Sequence, residues 1–364
     1  MRLHLPKLVL SVLAGLVGCG SPGAPLPPSL NLPRPVSDLH AIRKAGKVML
    51  SWTSPSESTD HQRLRQIGRT KICRDLRALV GDCQHYVGDI LAGTSDLREK
   101  EKKRPSLNAK VQGIFEDTIS ESLQRENPTS QIVYALSVLN DSGRSAGLSN
   151  QVTVPSAPTL SAPGGLRAEV QVEGILLTWE KSQGKAISGL SFKYRVYRRA
   201  DGTLTDTVVG ELPLVDSGAP HLLDRNLEWE KKYLYRITVV TAVNDGTSNA
   251  EVEGDDTNPL PVLAHDTFPP AVPSGLEAVF TNAAPQSFVD LIWTPDTDAD
   301  LAGYNVYRLR EGEAVRRLNS KLVRVPAYRD FAISAGDRYS YFVSAVDVRG
   351  NESARSEPAS ESVP

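Results

Sequence analysis

The sequence predicts an all-β protein, a row of three small two-sheet sandwiches, and three observations predict it. A strand motif ending in tryptophan is written three times, as Val48-x-Leu50-x-Trp52, Ile175-x-Leu177-x-Trp179 and Val289-x-Leu291-x-Trp293. Alternation of apolar residues puts their side chains on one face of a strand. A second alternation recurs later in each segment: Ile132-x-Tyr134-x-Leu136-x-Val138, Tyr233-x-Tyr235-x-Ile237-x-Val239 and Tyr339-x-Tyr341-x-Val343-x-Ala345. Each is followed by a turn, at Asn140-Asp141-Ser142-Gly143, Asn244-Asp245-Gly246 and Asp347-x-x-Gly350-Asn351, built of residue types that tolerate positive φ. Short strands punctuated in this way over about 100 residues specify a sandwich whose inner faces meet over the tryptophan.

The chain begins differently. Arg2 and Lys7 precede the apolar run Leu8 to Gly18, the pattern of a secretory signal peptide and far short of the roughly 20 residues of a permanent span. Leu16-Val17-Gly18-Cys19 resembles the lipobox of bacterial lipoproteins. That resemblance implies cleavage after residue 18, fatty acylation of Cys19, and an exported protein anchored in the membrane by lipid. An ordinary cleaved signal is the alternative. Gly20 is not the aspartate that retains some lipoproteins at the inner membrane, which favours the outer membrane in a host that has two. Residues 19–33 then form a proline-rich tether; such chain extends at about 3.1 Å per residue.

The 364 residues carry a formal net charge of −2, so the chain has no polyanion-binding signature and nucleic acid is not an expected partner. With 25 prolines, 27 glycines and 40% hydrophobic residues, the composition suits a turn-rich globular protein of two or three domains. The repeats place domains at residues 34–155, 160–258 and 269–364. Each tryptophan motif follows a Leu-x-Ala, at Leu39/Ala41, Leu166/Ala168 and Leu276/Ala278, and a proline-bearing lead-in at Pro35, Pro163 or Pro273. Middle strands read Tyr194 to Arg198 and Tyr304 to Arg308. This set resembles fibronectin type III domains, an immunoglobulin-like fold with a buried tryptophan on the second strand. The family's tyrosine near the start of the sixth strand, six residues after a leucine, is matched by Leu227/Tyr233 and Ile333/Tyr339. The first domain departs from the pattern: Ile132 stands where the tyrosine belongs, and its middle strand, around Ile67 to Arg74, is unlike the others. Proline-bearing linkers at 154–163 and 255–270 give the expectation of an extended row.

Cys73 and Cys83 remain once Cys19 is committed to lipid. An even pair in an exported chain reads first as a disulfide; free thiols or a redox pair are the alternatives. From Trp52 to Tyr134 the spacing is 82 residues, against 56 and 48 for the equivalent pairs. The first domain therefore carries an insertion, between Gly88 and Pro128, that includes the charge run Arg98 to Arg104. Residues 19–155 hold 18 basic and 14 acidic residues, and residues 156–364 hold 21 and 29. The basic insertion reads as a solvated loop or short helix, with contact to anionic headgroups or wall polymer as the alternative.

Catalytic patterns are sparse. Asp296-Thr297-Asp298-Ala299-Asp300 has Leu301 and Tyr307 where a helix-loop-helix calcium loop needs Gly and Glu, so it reads as a polar loop. Asp255 and Asp256 take the same discount. His40, His61, His85, His221 and His265 show no metal-ligand spacing. No hydrolase elbow, phosphate loop or dinucleotide fingerprint occurs. Trp229 stands outside the core pattern, a candidate partner contact or a ring packed under its own loop. The resulting expectation is a non-catalytic binding or scaffolding module with no catalytic residue, metal or cofactor, anchored by lipid and meeting a protein or cell-wall polysaccharide partner. A carbohydrate-binding accessory and a purely structural spacer in an envelope complex are the alternatives.

Overall fold

The structure, a computed structural model, describes residues 30–364 except 65, 80–82, 92–111, 185, 216–217 and 245–248. The described chain forms two compact units, one of residues up to 42 with 47–118 and 131–154, the other of 43–46, 119–130 and 155–364.

The first sandwich is built from β1 (His40–Lys44), β2 (Lys47–Thr53), β3 (Arg69–Asp75), β4 (Tyr86–Leu91), β5 (Gln112–Thr118), β6 (Gln131–Leu139), β7 (Ser145–Leu148) and β8 (Val152–Pro155). A short helix, α1 (Glu121–Glu126), capped by Ser120, lies between β5 and β6 and clusters with the second unit. One sheet has the order β1-β2-β5, the other β4-β3-β6-β7 with β8 also on β6. The alternation read from the sequence decides which face turns in. Val48, Leu50 and Trp52 are buried on β2, and Ile132, Tyr134, Leu136 and Val138 on β6.

The second unit holds two sandwiches with separate cores. The first of these comprises β9 (Arg167–Gln171), β10 (Gly174–Thr178), β11 (Leu190–Ala200), β12 (Thr207–Pro213), β13 (His221–Asp224), β14 (Lys232–Asn244), β15 (Asn249–Asp256) and β16 (Leu260–Leu263). The second comprises β17 (Glu277–Thr281), β18 (Phe288–Ile292), β19 (Leu301–Arg310), β20 (Arg316–Arg317), β21 (Ala327–Asp330), β22 (Arg338–Asp347) and β23 (Ala359–Ser362). A three-stranded sheet, β13-β10-β9 or β17-β18-β21, faces a larger one, β12-β11-β14-β15 with β16 on β14, or β20-β19-β22-β23. Trp179 and Trp293 fill the two cores, each edge-on to a tyrosine of the facing sheet, Tyr194 at 5.3 Å and Tyr304 at 5.2 Å. Such aromatic pairs contribute about 0.5–1.5 kcal/mol beyond their burial.

One boundary differs from the sequence reading. β16 lies wholly beyond residue 258, and its partners on β14 are Lys232 to Tyr235; most of the supposed linker from 255 is therefore sandwich. Strand β8 ends at Pro155, the last residue assigned to the first domain. The tyrosine corner forms where the motif placed it. The Glu228 backbone N–H donates to the Tyr233 hydroxyl at 2.9 Å, and the Ser334 N–H to the Tyr339 hydroxyl at 3.0 Å. In the first sandwich Ile132 takes that place as a fully buried apolar residue.

A buried polar triad links the two sheets of all three sandwiches. Arg74 donates to Asp117 at 2.8 Å, Arg198 to Asp224 at 2.7 Å and Arg308 to Asp330 at 2.6 Å. A tyrosine hydroxyl donates to the same carboxylate: Tyr134 at 2.6 Å, Tyr235 at 2.8 Å and Tyr341 at 3.1 Å. Burial, with the adjoining aspartate adding to it, pushes these three phenols above the ordinary tyrosine range. Arg74 therefore marks β3 as the counterpart of β11 and β19, despite its different apolar residues.

Cys73 and Cys83 form a disulfide with Cα atoms 5.3 Å apart. Cys73 is buried against Leu79, Val133 and Ala135. The bond closes a short loop, so the double substitution Cys73→Ala/Cys83→Ala should lower stability by roughly 2–3 kcal/mol. Urea unfolding of oxidised wild type against the variant measures this. Coincident midpoints would mean that packing alone holds the loop.

Candidate functional site

Cys19, the tether up to residue 29 and the charge run Arg98 to Arg104 lie outside the described residues. Among the described residues no helix is long and apolar enough to cross a membrane. Trp229 is half-buried against the second core, with its ring 6.4 Å from that of Phe268. Around it the connecting segment is pinned: Glu230 N–H donates to the Ala264 carbonyl at 2.7 Å, and Ala264 N–H to that of Lys231 at 2.9 Å. One side of the indole is thus engaged by the chain itself.

The acidic loop of the third sandwich is consumed in a similar way. Carboxylate oxygens of Asp266, Asp300 and Asp347 lie within 4.8 Å of one another. The Arg349 guanidinium is 3.1 Å from both Asp266 and Asp300. Burial alone would raise the Asp347 carboxyl, but hydrogen bonds from the Asn351 side chain and the turn's backbone hold it below the usual carboxylate range. Asp298 accepts the Ala271 N–H at 2.8 Å, and Asp296 accepts that of Asp298 at 2.9 Å. These aspartates clasp the segment 266–271 to the third sandwich. His61, His85, His221 and His265 are exposed residues on separate loops and strand ends.

The surface that sequence reasoning missed is the outer face of sheet β17-β18-β21. Register fixes its rows. Glu277, Ile292 and Ala327 lie side by side, then Val279, Asp290 and Arg329, and then Thr281 and Phe288, with Phe331 just beyond β21. Inward residues alternate with these, Val289 and Leu291 among them. The result is a mixed face, apolar at Val279, Ile292, Phe288 and Phe331, with Glu277 at one end and a central ion pair in which Arg329 donates to Asp290 at 2.7 Å. The Arg329 guanidinium stacks 3.9 Å from the Phe288 ring centroid, and Phe288 meets Phe331 edge-on at 5.6 Å. Val279, Ile292 and Phe331 are each about half exposed, at 53%, 51% and 47%. An aromatic face beside a fixed cation can stack on a flat, partly apolar ligand and hydrogen-bond its edge.

No protein-family model matches the chain. It is 28% identical over 210 residues to exoglucanase B of Cellulomonas fimi, covering 57% of this chain and 17% of that protein. It is 37% identical over 100 residues to an α-amylase of Niallia circulans, covering 27% of this chain and 7% of the enzyme. The chain thus spans less than a fifth of either relative. Solved structures similar to it include the chicken CNTN1 FN1–FN3 domains, at 14% identity and a TM-score of 0.26 over 91% of this chain and 99% of that one. An Fn3-like protein from Clostridium thermocellum matches at 30% identity and a TM-score of 0.23, over 27% of this chain and 96% of that one. The described chain itself is built almost wholly of strands in several sheets, with a buried core tryptophan in each of its three sandwiches and a tyrosine corner in the second and third: its fold is fibronectin type III-like.

Proposed function

We propose that this protein is a non-catalytic, carbohydrate-binding accessory of a bacterial cell surface, held there by lipid on Cys19. The observation that carries the reading is its sequence likeness to segments of two carbohydrate-cleaving enzymes, each several times longer than the matched stretch. Fibronectin-like repeats place function in exposed faces and loops rather than in a catalytic cleft. The outer face of β17-β18-β21 offers the exposed aromatic surface that stacking on sugar rings requires. Its central Asp290–Arg329 pair supplies an acceptor and a donor for hydroxyl groups.

Electrophoresis of the purified protein through gels containing amylose or β-glucan tests this. Wild type should be retarded in at least one of them. Phe331→Ala, at the exposed end of the array, should weaken the interaction about tenfold, the loss of one contact worth between 1 and 2 kcal/mol. Equal mobility of wild type with and without polysaccharide would reject the reading and leave a scaffold that meets other proteins.

A further inference from the structure

We propose that the loop end of the first sandwich binds an anionic sugar unit, a saccharide carrying a carboxylate or a phosphate. The proposal deepens the carbohydrate reading above and depends on it for the sugar. The anion preference rests on different residues.

A cavity of about 530 Å³ opens at that end between the β2–β3 loop and the β6–β7 turn, within the roughly 300–1,000 Å³ usual for ligand pockets. Such pockets are commonly lined by apolar side chains. This one is lined mainly by polar groups, with Arg63, Arg144, Gln62, Gln66 and Ser142 among them and Asp141 its one acidic residue. Neither guanidinium has an ion-pair partner among the described residues, so both are available to a ligand entering the cavity. Two unmatched guanidinium groups facing one cavity favour an oxyanion, which they can grip through paired N–H donors. The side-chain amides and the hydroxyl add donors and acceptors suited to sugar hydroxyls. A bare inorganic anion would leave those groups and most of the volume unused.

Both arginines sit on loops held in place before any ligand arrives. The β2–β3 loop folds back on itself: Ser58 is fully buried, its N–H donates to the Gln62 carbonyl at 2.8 Å, and Leu64 N–H donates to Ser56 at 2.9 Å. Thr59 N–H reaches the Leu32 carbonyl at 2.9 Å, tying that loop to the incoming chain. Across the cavity the buried Asn140 accepts the N–H groups of Ser142 at 3.0 Å and Arg144 at 2.9 Å, and donates to the Leu30 carbonyl at 2.9 Å. Asn31 and His61, in the lining and beside it, hold positive φ angles of 47° and 63°. Backbone held in that region is commonly associated with sites of function. An ordered site loses less freedom on binding.

Isothermal titration of the purified full-length protein with galacturonate oligomers, glucose 6-phosphate, inorganic phosphate and a neutral glucan oligomer tests the assignment. At least one anionic saccharide should bind tenfold or more tighter than both the neutral oligomer and inorganic phosphate. Arg63→Gln/Arg144→Gln should lose that advantage while keeping its retardation by amylose or β-glucan. Should that variant misfold by circular dichroism, Ser142→Glu keeps both arginines, places a carboxylate at the cavity and should weaken anionic binding as much. Equal affinity for neutral and anionic oligomers, or undiminished binding by the variants, overturns the proposal. So does arginine-dependent capture by phosphatidylglycerol vesicles without saccharide binding. Failure here with glucan retardation intact removes the pocket alone; failure of both removes the carbohydrate reading.

Discussion

Replacing Asp330 with alanine should destabilise the third sandwich by about 3–5 kcal/mol, the cost of leaving a buried charge without its partner. The Arg308 and Asp330 side chains are only 5% and 4% exposed. Arg308 donates to the Asp330 carboxylate at 2.6 Å and also to the Ala332 carbonyl, and lies 4.7 Å over the Tyr339 ring. Asp330 additionally accepts the Ala332 N–H at 2.9 Å and the Tyr341 hydroxyl. Alanine would strand a guanidinium, a phenol and a backbone N–H together. Asparagine keeps the shape and loses the charge, so Asp330→Asn should fall between alanine and wild type. The exposed pair Arg329–Asp290, one strand position away and on the opposite face of the sheet, supplies the contrast. Its side chains are 49% and 39% exposed, and Asp290→Ala should cost no more than about 1 kcal/mol. Urea unfolding monitored by tryptophan fluorescence measures both. If Asp330→Ala shifts stability no more than Asp290→Ala, the triad is decoration and the apolar core alone holds the sheets.

The triad also marks where the sequence was legible and where it was not. Tryptophan motifs and tyrosine-rich strands could be read because a period of two separates inward from outward residues without knowledge of the partner strand. By that parity Tyr304, Val306 and Arg308 share a face, as do Tyr194, Val196 and Arg198, so an inward arginine demanding a carboxylate was foreseeable. Its partner was not: Asp117, Asp224 and Asp330 stand at or near strand ends, where aspartate ordinarily signals a turn. β16 was hidden by Pro261, which demotes a strand reading. The structure admits it because β16 joins β14 as an edge, where proline's missing donor costs nothing. The Phe288 and Phe331 face was passed over for a different reason. Parity with inward Val289 and Leu291 already turned Phe288 outward, but Phe331 lies beyond β21 and 43 positions away, and only pairing register brings the two side by side. The polar cavity of the first sandwich needed tertiary structure altogether, since Arg63 and Arg144 are 81 positions apart and neither belongs to a repeated motif.

Replacing Cys19 with serine should move the protein from the membrane fraction to the soluble exported fraction, the largest effect of any single substitution here. The chain has three cysteines, and two of them are joined in the first sandwich. On the resemblance of Leu16-Val17-Gly18-Cys19 to a lipobox, Cys19 is the proposed site of a thioether-linked lipid, directly after the apolar run where a signal peptide would be cut. Each buried methylene contributes about 0.8 kcal/mol, so a long acyl chain is worth on the order of 10 kcal/mol; a single chain still holds only marginally once the entropy of immobilisation is met, and two or more hold firmly. Serine cannot accept the thioether and would forfeit the whole of that energy at once, which is why the outcome should be redistribution rather than a graded loss. Fractionation of cells expressing each form, with mass analysis of the N-terminal peptide, reads the result. Membrane retention of Cys19→Ser equal to wild type would place the attachment in the protein's own surface, and the basic first domain, with 18 basic against 14 acidic residues from position 19 to 155, would then be the part to dissect by raising the salt concentration.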